Sequence, residues 1–411
     1  MPLMISRTVS LRLCAIAMAI GIAGCAAPKP VPPPPSAPVA QLPPPPVAGH
    51  PMTSDSPAFL RLPNLDPNQT PVRVGVILPL NSATPAIRNL AGAMLKAAQL
   101  ALYDAKNPNI VLMTADEGGT PAEASAAANK LLAQGAEIIV GPLFAASVSA
   151  VAPIARDKGV PVLAFSTDKS VAGNGTYLLS FLPQSEVKRV VSYAAAQGHH
   201  NFAAMVPQND YGKVVADAFS DAVKASNGTN VDIQRFTPAT NQVMTPSQAI
   251  AKTNADTVLV AEGGQVLRAV APSLGFAGLD KNAVKLLGTG LWDDPNITKE
   301  DMLVGGWFAA PEPDADDAFG GRFRETFGSD PPQLASLAYD AIALVALLSS
   351  GEPYHRFTQA ALMDPNGFSG VDGIFRFNAD GTSERGLAVL EVAPDGFHVV
   401  SPAPKTFQSQ S

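Results

Sequence analysis

From Val72 onward, short β-branched runs alternate with segments whose apolar residues recur at helical spacing. That alternation admits few folds other than parallel sheet layered with helices. Val72-Arg73-Val74-Gly75-Val76-Ile77-Leu78 reads as a strand stopped by Pro79, and Leu90 to Tyr103 reads as the helix after it. The unit repeats. Ile110 to Met113, Glu137 to Val140 and Val160 to Phe165 are further strands, separated by helices over Pro121 to Gln134 and Ser147 to Asp157. A second series has helices over Val187 to Gln197, Tyr211 to Ala225 and Val266 to Gly275. Its strands are Phe202 to Val206, Val231 to Phe236, Thr257 to Val260 and Lys285 to Gly288. Strands joined by helical crossovers pair in parallel, and 411 residues exceed what one such core organises. The expected fold is therefore α/β, with two doubly wound parallel-sheet lobes.

The N-terminus points to export. Arg7 and Arg12 precede an apolar stretch from Leu13 to about Ile22, which is too short to span a bilayer and suits the core of a signal peptide. It ends in Ile22-Ala23-Gly24-Cys25, which resembles the lipobox of bacterial lipoproteins. The resemblance implies removal of residues 1–24, a lipid on Cys25 and attachment to a membrane. Ala26 in place of Asp points to the outer membrane, facing the periplasm. Proline then dominates from Pro28 to Pro51, with almost nothing to build a core. In polyproline II, at about 3.1 Å per residue, residues 25–70 would form a disordered tether reaching up to ~140 Å.

Composition removes several function classes. A net charge of −7 offers no field for nucleic acid. The only cysteines, Cys14 and Cys25, precede the folded part, which excludes a disulfide framework there. His50, His199, His200, His355 and His398 have no zinc-binding spacing, so no metal is expected. Gly173-Asn174-Gly175-Thr176 lacks the lysine of a phosphate loop, and no Gly-x-Ser-x-Gly elbow occurs. A non-enzymatic protein without cofactors is expected.

Several motifs then occur in an informative order: Val74-Gly75-Val76-Ile77-Leu78-Pro79-Leu80, Asp116 with Thr120-Pro121, Ile138-Ile139-Val140-Gly141-Pro142, Gly159-Val160-Pro161-Val162 and Asn209-Asp210-Tyr211-Gly212. With Gly367-Phe368-Ser369-Gly370-Val371-Asp372-Gly373 near the end, they resemble the type I periplasmic binding proteins, the leucine-binding superfamily. The resemblance covers nearly all of Val72 to Val400. It implies hinge crossovers, with residues 71–182 and 311–366 in lobe 1, 183–310 and 367–402 in lobe 2, and 403–411 as a disordered tail. Gly141-Pro142-Leu143-Phe144, Leu286 to Pro295 and Leu334 to Asp340 are similar to a lipoprotein branch, the penicillin-binding protein activators. No helical-repeat domain like that of the enterobacterial activators is legible before Val72.

In doubly wound sheets, ligands bind beyond the carboxyl ends of the strands. In lobe 1 that rule selects Asn81 and Ser82, then Phe144, Ala145 and Ser147, then Ser166, Thr167 and Asp168, whose hydroxyls and N–H groups could hold a carboxylate. In lobe 2 it selects Asp210, Tyr211, Glu262, Thr289, Trp292 and Asp293, where an aromatic ring and an acid could hold an apolar body and an ammonium group. The competing role for Ser166, Thr167, Asn81 and Asp210 is local capping of turns. Branched-chain amino-acid binders carry Gly-Pro-Glu-Gly where this chain reads Gly288-Thr289-Gly290-Leu291, so the ammonium-binding glutamate is Gly290 here. The leading expectation is an activator that regulates peptidoglycan synthesis by contact with a penicillin-binding protein. The alternative is the solute-binding subunit of an ABC importer for amino acids or amides, which delivers a small polar ligand to a permease.

Overall fold

The protein is seen in a computed structural model that describes residues 40–41, 59–63, 68–239, 241–313 and 317–408. Cys25, the signal peptide and most of the tether lie outside the described residues. Two short strands come first, β1 (Ala40–Gln41) and β2 (Phe59–Arg61). Lobe 1 then runs β3 (Val72–Leu78), α1 (Pro85–Ala105), β4 (Ile110–Asp116), α2 (Pro121–Ala133), β5 (Ile138–Val140), α3 (Ala145–Asp157), β6 (Val162–Ala164) and β7 (Thr176–Leu178). Lobe 2 takes α4 (Pro183–Ala196), β8 (Asn201–Pro207), α5 (Asp210–Ala225), β9 (Thr229–Phe236), α6 (Met244–Ile250), β10 (Thr257–Val260), α7 (Gly264–Phe276), β11 (Lys285–Gly288) and β12 (Trp307–Ala310). The chain returns to lobe 1 for α8 (Asp317–Phe327), α9 (Ala335–Leu348), α10 (Gln359–Leu362), β13 (Phe368–Gly370), β14 (Gly373–Phe377) and β15 (Ser383–Arg385). It ends in lobe 2 with β16 (Ala388–Ala393) and β17 (Gly396–Ser401).

The lobe 1 sheet has the order β2-β4-β3-β5-β6-β7 and the lobe 2 sheet β17-β16-β12-β11-β10-β8-β9. Strands β3 to β7 pair in parallel, as do β8 to β12. The order around the first strand of each lobe is the same: β4-β3-β5 in one and β9-β8-β10 in the other. The winding therefore reverses between β3 and β5, and again between β8 and β10, and each reversal opens a crevice at the strand ends.

Local chemistry accounts for these elements. The β3 sequence VRVGVIL is apolar on both faces because helices cover both. Gly75 lies under α2, where an added Cβ would sit 3.0 Å from Leu131 Cδ1. Thr120 starts α2 as a capping box: its hydroxyl accepts the Glu123 N–H at 3.3 Å and donates to the Glu123 carboxylate at 2.8 Å. Asn209 caps α5 by accepting the Gly212 N–H at 2.9 Å. Helix α9, ASLAYDAIALVALL, is apolar around most of its circumference and lies in the lobe 1 core beside α1. Its Tyr339 donates to Asp104, which also pairs with Arg322 of α8.

Ala40–Gln41, within the expected tether, pairs in parallel with Phe368–Ser369, and three longer segments also depart from the sequence-based expectation. Phe59–Arg61, expected in the tether, pairs antiparallel with Val111–Met113 of β4 and buries Leu60. The hairpin β13 to β15, expected in lobe 2, packs in the lobe 1 core: Phe368, Phe375 and Phe377 join that cluster, and Phe377 stacks near Tyr177 at 5.2 Å. Lobe 2 resumes at Leu387, not at residue 367. The expected tail is ordered through Gln408, with the Ala403 N–H bonded to Glu312 at 2.8 Å and Phe407 under Arg376 at 4.5 Å. Each of the three longer segments carries apolar side chains with a partner distant in sequence, which local patterning does not register.

Candidate functional site

At the lobe 1 crevice the first group is one the sequence reasoning passed over. Glu117 follows β4 directly, is 1% exposed and points at the start of α3, where it accepts the Leu143 N–H at 3.0 Å and the Ser147 hydroxyl at 3.2 Å. Burial pushes its carboxyl up to about 7, against the pull of those two donors. The helix terminus where a ligand carboxylate was expected is thus already occupied by an acid of the chain itself. Ser147 is buried as its partner. Phe144 stands at the mouth of α3, 41% exposed, with Ala145 behind it.

The rest of the lobe 1 set does local work. The Ser166 hydroxyl accepts the Asp168 N–H at 3.1 Å, and Asp168 accepts the Ser170 N–H at 2.9 Å, capping a 3₁₀ turn. Ser82 accepts the Thr84 N–H at 3.3 Å and, through its carbonyl, an Arg88 N–H at 2.6 Å. Asn81, Thr167 and Asp168 are exposed at the crevice edge.

In lobe 2 the candidates converge. Tyr211 Oη and Thr289 Oγ1 are 2.8 Å apart, joining the ends of β8 and β11. Thr289 is fully buried, and its hydroxyl also accepts the Leu291 N–H at 3.4 Å. Burial raises the Tyr211 phenol, and the carboxyls of Glu186 and Glu262 add to the effect. Glu262, half-buried after β10, accepts the Gly263 N–H at 3.1 Å and is itself raised by burial. Asp293 is raised first by the protein around it and then by Asp372 and Asp294. Asp210 is exposed in the first turn of α5.

Trp292 is a correction. It is fully buried, its Nε1 donates to the Val260 carbonyl at 3.1 Å, and it fills the space over Gly288, where an added Cβ would meet the ring at 2.1 Å. The strand-end rule placed it in the crevice, but the ring belongs to the lobe 2 core.

The second missed residue is the more informative. Glu186, in the first turn of α4, accepts the Gly290 N–H at 2.9 Å. A Cβ on Gly290 would sit 2.8 Å from Glu186 Oε1, so a side chain at 290 would oblige this carboxyl to shift. A carboxyl from another element thus lies against the backbone of position 290. Burial pushes it up to about 7, and the Gly290 N–H only partly offsets that.

At the hinge, Arg385 lies between Phe181 and Phe375, at 4.7 and 5.4 Å, and 3.7 Å from Asp340. Asp340 accepts the Val371 N–H at 2.8 Å, and Asp372, raised by burial, faces Arg385 and bonds Ser336. These groups fasten the β13–β14 turn to the start of α9. Among the described residues no group of three or more His, Cys, Asp or Glu is placed to hold a metal ion.

Two doubly wound sheets with the same strand order around their first strand, joined by three crossovers, form the architecture of a bilobal binding protein. A profile of the periplasmic binding protein family matches residues 71–396. The chain belongs to that family. Periplasmic binding proteins of this type capture ligands and are not catalysts.

Solved structures agree on the fold. A candidate branched-chain amino acid ABC transporter protein from Rhodospirillum rubrum is 18% identical, with a TM-score of 0.71 over 80% of this chain and 100% of its own. A branched-chain amino acid ABC transporter periplasmic ligand-binding protein from Burkholderia xenovorans LB400 is 20% identical, with a TM-score of 0.66 over 81% and 96%. An ABC transporter substrate-binding protein from Desulfitobacterium hafniense in complex with Leu is 19% identical, with a TM-score of 0.60 over 80% and 99%. Among curated proteins, an uncharacterised protein of Rickettsia prowazekii is 19% identical over 161 residues, which spans 39% of this chain and 42% of that protein.

Proposed function

We propose that this periplasmic binding protein captures a small ammonium-bearing solute, an amino acid or its amide, and presents it to an ABC permease. The observation that carries this reading is Glu186 bonded to the Gly290 N–H at 2.9 Å. It removes the main argument for a cleft without an ammonium site. Glu262 and Asp293 stand on the same lobe, while Glu117 occupies the anion position on the other. All four carboxyls are raised chiefly by burial, the condition in which a cationic ligand group gains most by restoring their charge. Tyr211, Phe144 and Leu291 offer apolar surface for the solute's body. The descriptions of the structural neighbours as ABC transporter binding proteins support the same role.

A peptidoglycan-synthase regulator is the second reading, favoured by the proline-rich run between Cys25 and the fold, which suits reach across an envelope better than solute capture. Lipid attachment at Cys25 suits either reading, whereas an outer-membrane location would favour the regulator. The deciding experiment is a thermal-shift screen against amino acids, amides and peptidoglycan fragments. A solute at a hundred times its Kd raises stability by about 2.7 kcal/mol. A shift with an amine-bearing solute that disappears in Glu186→Gln supports capture. No shift, with retention of a penicillin-binding protein by the full chain, establishes the regulator.

A further inference from the structure

A cavity of about 520 Å³ lies on the flank of the hinge, away from the strand ends that form the crevice. One wall is α4 of lobe 2; the other is the turn and second strand of the β14–β15 hairpin, with Lys169 beyond β6. Its volume is that of a small-molecule site.

The charge balance at this cavity is uneven once existing bonds are counted. Its two acids are engaged: Asp380 accepts from the Thr382 N–H and hydroxyl, and Glu384 takes Arg376 at 2.6 Å. Arg189 is committed to the Leu387 carbonyl at 2.8 Å and the Ser401 hydroxyl at 2.7 Å. Arg385, which also lines the cavity, is buried and faces Asp340 at 3.7 Å. That leaves two exposed ammonium groups. Lys169 has no ion-pair partner among the described residues, and Lys188, 72% exposed, touches Glu384 only at 4.0 Å. Beneath them are the buried side chains of Leu182 and Leu387, with Phe407 at the side. Gln184 also lines the cavity. Its amide nitrogen and oxygen are shielded from solvent and have no hydrogen-bond partner among the described residues. Such atoms in a native structure call for a partner.

We propose that this hinge-flank cavity is a second binding site, for a small carboxylate with an apolar body. The lysines at the rim attract the anion, the Gln184 amide donates to it, and the leucines receive the chain. Both lobes supply walls, so occupancy favours whichever lobe angle fits the ligand.

The probe is octanoate, titrated calorimetrically into the full chain beside acetate and 1-octanol, with hydrogen exchange to locate it. The expected result is saturable octanoate binding tighter than about 1 mM, with acetate and octanol at least tenfold weaker. The Lys169→Glu/Lys188→Glu variant, altered only at exposed positions, should bind octanoate at least tenfold less tightly. Protection should fall on the 378–385 segment and the first turns of α4. Absence of saturable binding, unchanged affinity in the double variant, or protection confined to the loops at 262 and 289–293 would each overturn the proposal.

Discussion

Replacing Glu186 with Gln tests the assignment of this carboxyl through stability as well as binding. The amide still accepts the Gly290 N–H, so the geometry survives and only the charge is lost. Below pH 4.5 the carboxyl is protonated in both folded and unfolded chains and contributes no difference. Between 4.5 and about 7 the folded chain holds a proton that the unfolded chain has released, so wild-type stability falls as pH rises. Above 7 the folded state carries the whole cost, about 3 kcal/mol at 1.36 kcal/mol per pH unit. Glu117, shifted in the same direction, is present in both proteins and cancels. Trp292 and Trp307 both lie in lobe 2, so urea unfolding followed by tryptophan fluorescence reports on the lobe that holds Glu186. Wild type and variant should coincide at pH 4.5, and at pH 8 the variant should be more stable by about 3 kcal/mol. Affinity for an ammonium-bearing solute should drop roughly tenfold to a hundredfold. A stability difference that is the same at both pH values would refute the reasoning, because a buried ionising carboxyl cannot produce it.

Gly290→Ala should displace the same carboxyl by contact and weaken the solute by about tenfold, whereas Glu186→Ala/Gly290→Glu, which moves the acid to where relatives carry it, should recover most of the loss; calorimetry compares the two. Trp292→Phe forfeits the bond to Val260 and should destabilise by about 1–3 kcal/mol while affinity changes by less than about threefold. A binding loss as large as that of Glu186→Gln would return Trp292 to the crevice wall. Arg356→Met leaves Glu137, whose side chain is 1% exposed, without its counter-charge, and should cost about 3–5 kcal/mol in urea unfolding followed by circular dichroism.

Most strands from Val72 to Gly288 were legible because each is a short apolar run closed by proline, glycine or a polar residue; β7 (Thr176–Leu178) was not, being only three residues long beside a glycine-rich turn. The strand-end rule then located the crevice without any coordinates. It selected Tyr211 and Thr289, which the fold joins by a hydrogen bond, and Glu262 at the end of the strand between them, since position beyond a parallel strand depends on topology alone. It could not separate Ser166, committed to the Asp168 N–H, from a hydroxyl left for a ligand. Glu186 escaped because an acid in a helix's first turn is ordinarily a solvated complement to the dipole. Only the fold shows that Gly290 lies against it. Arg385 and Asp372 escaped for a related reason: their partners, Asp340 and Ser336, are on a helix more than thirty residues earlier.

Strand β2 has a practical consequence. Without it, the backbone groups of Val111 to Met113 along β4 would form an open sheet margin, and Leu60 would leave an apolar gap above the lobe 1 core. Unpaired margins of this kind recruit other chains. A recombinant fragment cut at Pro71, where the family match begins, would carry that adhesive edge into solution and would tend to self-associate. A fragment cut upstream of Phe59 keeps the edge covered. Aggregation in the shorter fragment would then report a missing strand rather than an unstable fold.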